Sequence, residues 1–541
     1  MMTHTGRILL AGALLLLGLS CYVQFLGGNA GDKDWLLYAA TLWLQSKRFY
    51  MDIIGPNPPL ILWLYTLPAF IALDTGLRDY YALILLGLCV VALVIALSLK
   101  LLQSHPVFKG NGRLQMEQME MALLLAFVFI FRTDPSYFCD RDHIFLVLIF
   151  PYVLRWLPPL ARTSYPPGLR IAVGVMAAIG FSMKPHCLIV FAGIQALYMV
   201  RERSHAILTS TENITVYAGM TIYLLCLLHF TPEYVSVILP MALQTYGSFS
   251  RRLDGLLYVS IAFFTLAVAL SEFRFRDDSP YHRDIYYLVG LCFFFLCYGF
   301  SNNGWGYSYN PVMSYVLITA GWLFWEFSYL KKQTTGQGMP AKRYTFGQRG
   351  SAIAIAGHGA FGLFIVIGCI VGLQQYRCED HPACMLDRDI LQEVSTPQGP
   401  RSFVALSLVA GNWSEISKVS GAPWNMRFNC FWMLHKFFIS KPGFAVRHRW
   451  ILDYIVSALT NDLERMKPQV IFVDASVLPS VTYEHRGLPG YFSSYPVFKT
   501  AWESYRYIHS LDYCEKSTKP QSGNAANVQG CKFDIYYRKP D

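Results

Sequence analysis

Long apolar runs recur through the first 375 residues, and short loops carrying Lys or Arg separate them. Inside a bilayer no water is at hand for backbone N–H and C=O groups, so a spanning run must satisfy its own, as a helix does. Crossing takes about 20 apolar residues. On that measure about eleven candidate spans stand out, roughly 8–26, 78–102, 119–132, 143–157, 169–183, 187–200, 214–230, 255–271, 285–300, 311–329 and 351–375. The first has the outline of a signal peptide, with Arg7 before Ile8 to Leu19 and Ser20-Cys21 after, but is read as an uncleaved helix.

Composition agrees. The charged fraction is 15%, against about 25% in ordinary soluble chains. The net charge of +10 would suit a nucleic-acid binder, but the Lys and Arg sit mainly in short loops between apolar runs, so nucleic acid is excluded as a partner. That placement follows the positive-inside rule. With the N-terminus inside, the inner loops carry Lys109 and Arg113; Arg155, Arg162 and Arg170; Arg201 and Arg203; Arg274, Arg276 and Arg283; and Lys331, Lys332, Lys342, Arg343 and Arg349. Residues 376–541 spread charge, Pro and Gly throughout. The expected fold is an α-helical polytopic membrane domain over 1–375 and a small extracytoplasmic α/β domain over 376–541.

Two segments on the outer side read as interfacial helices, not spans. Residues 33–47 interleave Trp35, Leu36, Ala39, Ala40 and Trp43 with polar residues, and 57–73 begin Asn57-Pro58-Pro59, which suits a helix start. The loop 231–254 is read as room for a third. In the tail, Phe403 to Val409 and Val470 to Val473 pattern as buried strands and Phe533 to Tyr537 as a closing strand. Leu452, Ile455, Val456, Leu459, Leu463 and Met466 share one helical face. The tail holds five cysteines, Cys378, Cys384, Cys430, Cys514 and Cys531, and an outside location permits disulfides. Close spacing suggests Cys378–Cys384 and Cys514–Cys531, although sequence does not fix pairing.

Polar residues gather in the outer loops, which is the main pointer to function in a membrane chain. The first loop has Asp32, Asp34, Asp52 and Asn57, and the second Asp134, Asp140, Arg141, Asp142 and His143. The third is Lys184-Pro185-His186, the fourth includes Arg251 and Arg252, and the fifth includes Trp305 and Tyr307. Each has a structural explanation when taken alone. A loop Asp caps a helix, Lys184 ends one, residues 140–143 form an internal salt bridge, and Arg251-Arg252 hold lipid head groups. Taken together, carboxylates facing Lys and Arg suit transfer from a phosphate leaving group. Cations hold the phosphate while a carboxylate accepts the proton of an attacking hydroxyl.

The order of short motifs resembles the GT-C superfamily of polyprenyl-phosphate-sugar-dependent glycosyltransferases, near protein mannosyltransferases and lipid A aminoarabinose transferases. Asp32-Lys33-Asp34-Trp35 leads to Tyr50 and then Pro56-Asn57-Pro58-Pro59-Leu60. Counting from Asp32 puts Ser46 where that family has a small residue or Gly, and Tyr50 at its aromatic. Counting from Asp34 instead puts Tyr38 at the aromatic of a D-E-x-x-Y pattern. Asp140-Arg141-Asp142-His143 with Pro151-Tyr152 is similar to a Q-R-E-H…P-Y pattern. Gly180 to Pro185 is similar to G-x-x-x-K-G/P, and Gly304-Trp305-Gly306-Tyr307…Pro311 to K-G-W-x-Y-H-x-x-P, with Asn303 and Ser308 replacing the basic residue and the His. The resemblance covers roughly residues 8–320.

The resemblance implies an inverting glycosyltransferase in a bacterial inner (plasma) membrane, with a polyprenyl-phosphate-sugar donor and a glycan, lipid or protein acceptor outside the cytoplasm. Asp32 is the implied base, with Asp34 its orienting partner or alternative. Lys184, Arg141, Arg251 and Arg252 would bind the donor phosphate, and Asn57, Asp142, His143, His186, Trp305 and Tyr307 would position substrate. The cofactor stays open between none and a divalent metal, which His143 with Asp142 would help hold. Two rivals stand beside this reading: a transporter or flippase of a lipid-linked saccharide, and a membrane-anchored envelope assembly or sensor protein.

Overall fold

The computed structural model describes residues 18–19, 21–25, 32–103, 121–131, 133, 135, 137–161, 163–245, 282–301, 310–319, 382–408, 411–424, 426–440, 443–475, 487–512 and 532–540. These residues are mostly helical, with a small sheet region near the C-terminus. The chain divides into two compact units. The first comprises Met1–Gly28, Tyr81–Leu225 and Arg251–Tyr376, and the second Asn29–Tyr80, Cys226–Ser250 and Arg377–Asp541.

By length and composition, two described helices can cross a membrane, Asp79–Leu102 with 24 residues and Thr211–Phe230 with 20. The segments expected as spans at 143–157, 169–183 and 187–200 are helical, but as Arg141–Arg155, Pro167–Phe181 and Leu188–Glu202 of 15 residues each. Prolines punctuate them: Pro158 follows the first, Pro166-Pro167 opens the second, and Pro185 interrupts the chain before the third. The expected spans at 255–271 and 351–375 lie outside the described residues.

Within the first unit, the Arg141–Arg155 and Pro167–Phe181 helices pack closely. Gly180 permits this, because a Cβ there would lie 2.7 Å from Ile149 Cγ2. The Leu188–Glu202 helix packs on the His282–Ser301 helix, where Gly193 makes room for the Phe294 ring.

In the second unit the helices expected at 33–47 and 57–73 occur as Asp32–Leu44 and Pro59–Thr75, packed on each other. Pro59 opens the second, where a missing N–H costs nothing. Gly76 ends it with φ 71°, its N–H reaching the Ala72 carbonyl at 2.9 Å. The link between these helices holds two left-handed residues, Ser46 at φ 70° and Tyr50 at φ 66°. Tyr50 Oη closes the link by donating to the Asn57 carbonyl at 2.6 Å. The loop after Phe230 is helical too, over Tyr234–Ile238 and Leu239–Thr245.

The tail sheet has four strands: β1 Phe403–Leu406, β2 Val470–Asp474, β3 Tyr505–Asp512 and β4 Lys532–Arg538, in spatial order β1-β2-β4-β3. β1 runs parallel to β2, with Phe403 opposite Val470, while β4 is antiparallel to both its neighbours. Parallel strands need a long crossover, and the Arg449–Met466 helix lies in it, burying Leu452, Ile455, Val456, Leu459 and Leu463. β2 is buried along its whole length. The segment after the Asp32–Leu44 helix is stitched into this fold, with Ile54 N–H donating to the Arg427 carbonyl at 2.6 Å. Of the five tail cysteines, Cys430 is a buried free thiol. Cys378, Cys514 and Cys531 lie outside the described residues, as does the side chain of Cys384.

Candidate functional site

In the first unit, Asp140 caps the Arg141–Arg155 helix, its Oδ1 accepting from the N–H groups of Asp142 at 2.7 Å and His143 at 3.1 Å. The cap fixes Arg141 and Asp142 in the first turn. Lys184 has an extended backbone, φ −146° and ψ 144°, between the end of one helix and the Pro185–Cys187 turn. Its Nζ meets Asp142 Oδ2 at 2.8 Å and Oδ1 at 3.1 Å. Tyr298 Oη donates to the same Oδ1, and its ring stacks on Phe145 at 4.8 Å. Asp140, Arg141, Asp142, His143 and Lys184 are all buried.

Two histidines flank the group and differ in kind. His143 Nδ1 accepts from the Cys139 N–H at 3.2 Å, so Nε2 carries the proton and donates to the Phe129 carbonyl at 2.7 Å. Both nitrogens therefore serve the backbone, leaving neither for a metal. His186 lies with its ring 5.3 Å from that of Tyr298. Its Nε2 is enclosed without a hydrogen-bond partner. Burial, helped by Lys184, pushes its imidazole down to about 4, so it is neutral. Among the described residues no group of His, Cys, Asp and Glu is arranged to hold a metal ion.

The other predicted carboxylates belong to the second unit. Asp32 opens its helix and is half-buried, close enough to Cys430 to help burial push that thiol up to about 12. Asp34 is 1% exposed. Lys418 Nζ lies 3.8 Å from its Oδ1 and 2.6 Å from Asp79 Oδ2. Ser414 Oγ donates to the Asp34 backbone carbonyl at 3.3 Å. Burial pushes the Asp34 carboxyl up to about 6, against the pull of Lys418. Asn57 is buried, and its carbonyl anchors Tyr50. Arg251, Arg252, Trp305 and Tyr307 lie outside the described residues.

Arg155 and Arg170, read from sequence as basic-loop residues, both clamp Glu212. Arg155 Nε is 2.6 Å from its Oε1, and Arg170 Nη2 is 2.9 Å from its Oε2. Arg155 also donates to the Leu160 carbonyl at 2.6 Å and lies 5.0 Å from the ring centres of Trp156 and Tyr165. Tyr298 and Lys418 carry no sequence signal of the contacts they make. Tyr298 sits in an aromatic-rich apolar run with nothing to mark its hydroxyl, and Lys418 is one of many tail lysines.

No family model matches this chain, and no curated protein matches it at a significant level.

Proposed function

We propose that this protein is a GT-C type membrane glycosyltransferase, moving a sugar from a polyprenyl-phosphate donor to an acceptor hydroxyl on the extracytoplasmic face of a bacterial inner membrane. The observation that carries the reading is the buried meeting of Lys184 with Arg141-Asp142, beside the partnerless Nε2 of His186. Buried cations and a spare imidazole nitrogen suit an incoming phosphate oxygen, since a low-dielectric site strengthens such contacts. The register counted from Asp32 has its own support. Ser46 stands where the resemblance calls for a small residue or glycine, and its backbone is left-handed at φ 70°.

In this mechanism the acceptor oxygen attacks the anomeric carbon as Asp32 takes its proton. The bond from that carbon to the phosphate oxygen breaks, with inversion. Lys184 and Arg141 stabilise the phosphate that departs with the lipid, while Asp142 and Tyr298 hold Lys184 in place. Asp34, enclosed and paired with Lys418, anchors the helix that presents Asp32.

The test is transfer from a labelled polyprenyl-phosphate sugar to glycan, lipid and protein acceptors in proteoliposomes. Transfer that disappears in Asp32→Asn while donor binding persists supports the mechanism. Full activity in both Asp32→Asn and Asp34→Asn overturns it. The transporter reading draws on the buried ionisable group around Glu212. It predicts lipid-linked saccharide translocation without any transfer in the same vesicles.

A further inference from the structure

The second unit contains a cavity of about 210 Å3 to which the transfer mechanism gives no role. Its lining comes from the Asp32–Leu44 helix, the turn after it, the segment around Trp424, and the Arg449–Met466 helix. It falls below the range of about 300–1,000 Å3 usual for drug-sized ligands, so it suits a single ring.

One part of the lining is aromatic. The Tyr38 and Trp424 rings lie 5.2 Å apart with planes 30° from each other. Tyr38 Oη fixes the pair by donating to the Trp424 carbonyl at 3.2 Å. Ring faces carry negative charge density and attract the weakly positive C–H hydrogens of a saturated ring. Trp424 is 4% exposed, and its indole Nε1 is enclosed with no hydrogen-bond partner.

Charges of both signs complete the lining. Arg427 grips Asp462 Oδ1 through Nε at 2.9 Å and Nη2 at 2.7 Å. Asp52 accepts from the Arg48 N–H at 3.0 Å, and Lys47 and Arg465 also line the space. A ligand bearing only acceptors would face the Asp52 carboxylate, and an apolar one would strip water from the exposed charges without replacing it. Hydroxyl groups donate and accept at once and so satisfy both kinds of neighbour.

We propose that this cavity binds one pyranose ring of a saccharide, with its C–H face toward Tyr38 and Trp424 and its hydroxyls among Lys47, Asp52 and Arg427. Binding here requires neither Asp32 nor Lys184 and stands whether or not the chain transfers sugar.

The experiment uses the full chain in lipid nanodiscs free of glycoside detergents, whose sugar heads would compete. Saturation-transfer NMR and calorimetry are run with glucose, galactose, mannose, N-acetylglucosamine and glucuronate, with sorbitol and inorganic phosphate as controls. Saturable binding of at least one pyranose is expected, with neither control binding. Asp52→Ala and Lys47→Ala, at partly exposed positions where the fold tolerates change, should each weaken it about tenfold, the loss of one hydrogen bond to a charged group. Trp424→Phe keeps a ring but offers a smaller aromatic face to the C–H hydrogens, and should weaken binding as well. The proposal is overturned if no pyranose binds saturably, if sorbitol or phosphate binds as well as the best sugar, or if binding survives all three substitutions unchanged.

Discussion

Lys184 and Asp142 form an ion pair with an Nζ to Oδ2 distance of 2.8 Å, their side chains only 7% and 1% exposed. Removing one partner of such a pair leaves a buried charge uncompensated and typically costs about 3–5 kcal/mol. Lys184→Ala and Asp142→Asn should therefore each lower the melting temperature of the purified protein. The double variant Lys184→Met/Asp142→Leu should recover most of that loss, because apolar residues of similar size often replace a buried pair at little cost. If the pair also serves the phosphate, the double variant stays inactive although folded. A thermally recovered double variant with normal transfer would make the pair purely structural.

Asp32 and Asp34 lie one helical half-turn apart but in different surroundings, one half-buried and the other enclosed against Lys418. If Asp32 is the base of the proposed transfer, Asp32→Asn should abolish transfer with near-normal donor affinity, since a base acts only as the bond to phosphate breaks. Asp34→Asn should keep measurable transfer. A dead Asp34→Asn beside a fully active Asp32→Asn would shift the register by two residues.

The Asp34 carboxyl lies at about 6 in the folded chain against an ordinary 3.8, chiefly through burial. The folded state thus holds this proton more tightly than the unfolded state does. Its stabilising contribution is full below about pH 4 and is lost as pH rises through about 6, on the order of 2–3 kcal/mol in all. Melting curves between pH 4 and 7.5 should show wild type losing stability relative to Asp34→Asn as pH rises. Lys418→Met should move the loss to higher pH. Parallel pH profiles for wild type and Asp34→Asn would refute the assignment.

Ser46 adopts φ 70°, a conformation that costs a non-glycine residue about 1–2 kcal/mol. Ser46→Gly should relieve this and raise the unfolding midpoint, by up to about 1 kcal/mol once the greater freedom of unfolded glycine is set against it. Ser46→Val should lower it by more, because a β-branched residue is least at home there. Chemical denaturation of the three proteins side by side reads both changes.

Cys430 is a buried free thiol, pushed up to about 12. Any tail disulfide then draws on Cys378, Cys384, Cys514 and Cys531 alone. Mass spectrometry of unreduced, alkylated protein should find Cys430 modified only after denaturation, and at least one linked pair among the other four. Five free tail thiols would place the domain in a reducing compartment.

Local pattern made several elements legible. Val470–Asp474 is an unbroken apolar strand up to its last residue, and the face running from Leu452 to Leu463 repeats at helical spacing, so both occur within a few residues of where they are expected. The closing strand Lys532–Arg538 shows its alternation in sequence as well. β3 was missed. Among the described residues it is an edge strand paired with β4 alone, with an irregular register between Tyr507 and His509, so the period of two that marks a strand is broken.

Which segments are apolar, where prolines interrupt them, and which loops carry Asp140, Asp142 and Lys184 can all be read along the chain, because these depend on neighbours a few residues away. What each charge meets is set by the folded chain. Tyr298 reaches Asp142 across 156 residues of chain, and Lys418 reaches Asp79 across 339. His143 looked as available as His186 until the Phe129 carbonyl and the Cys139 N–H took up its two nitrogens. Arg155 looked like a topology marker until Glu212 was found against it. Periodicity reports which side of an element is buried, whereas the partner of a buried charge is set by contacts between distant segments, which leave no local trace.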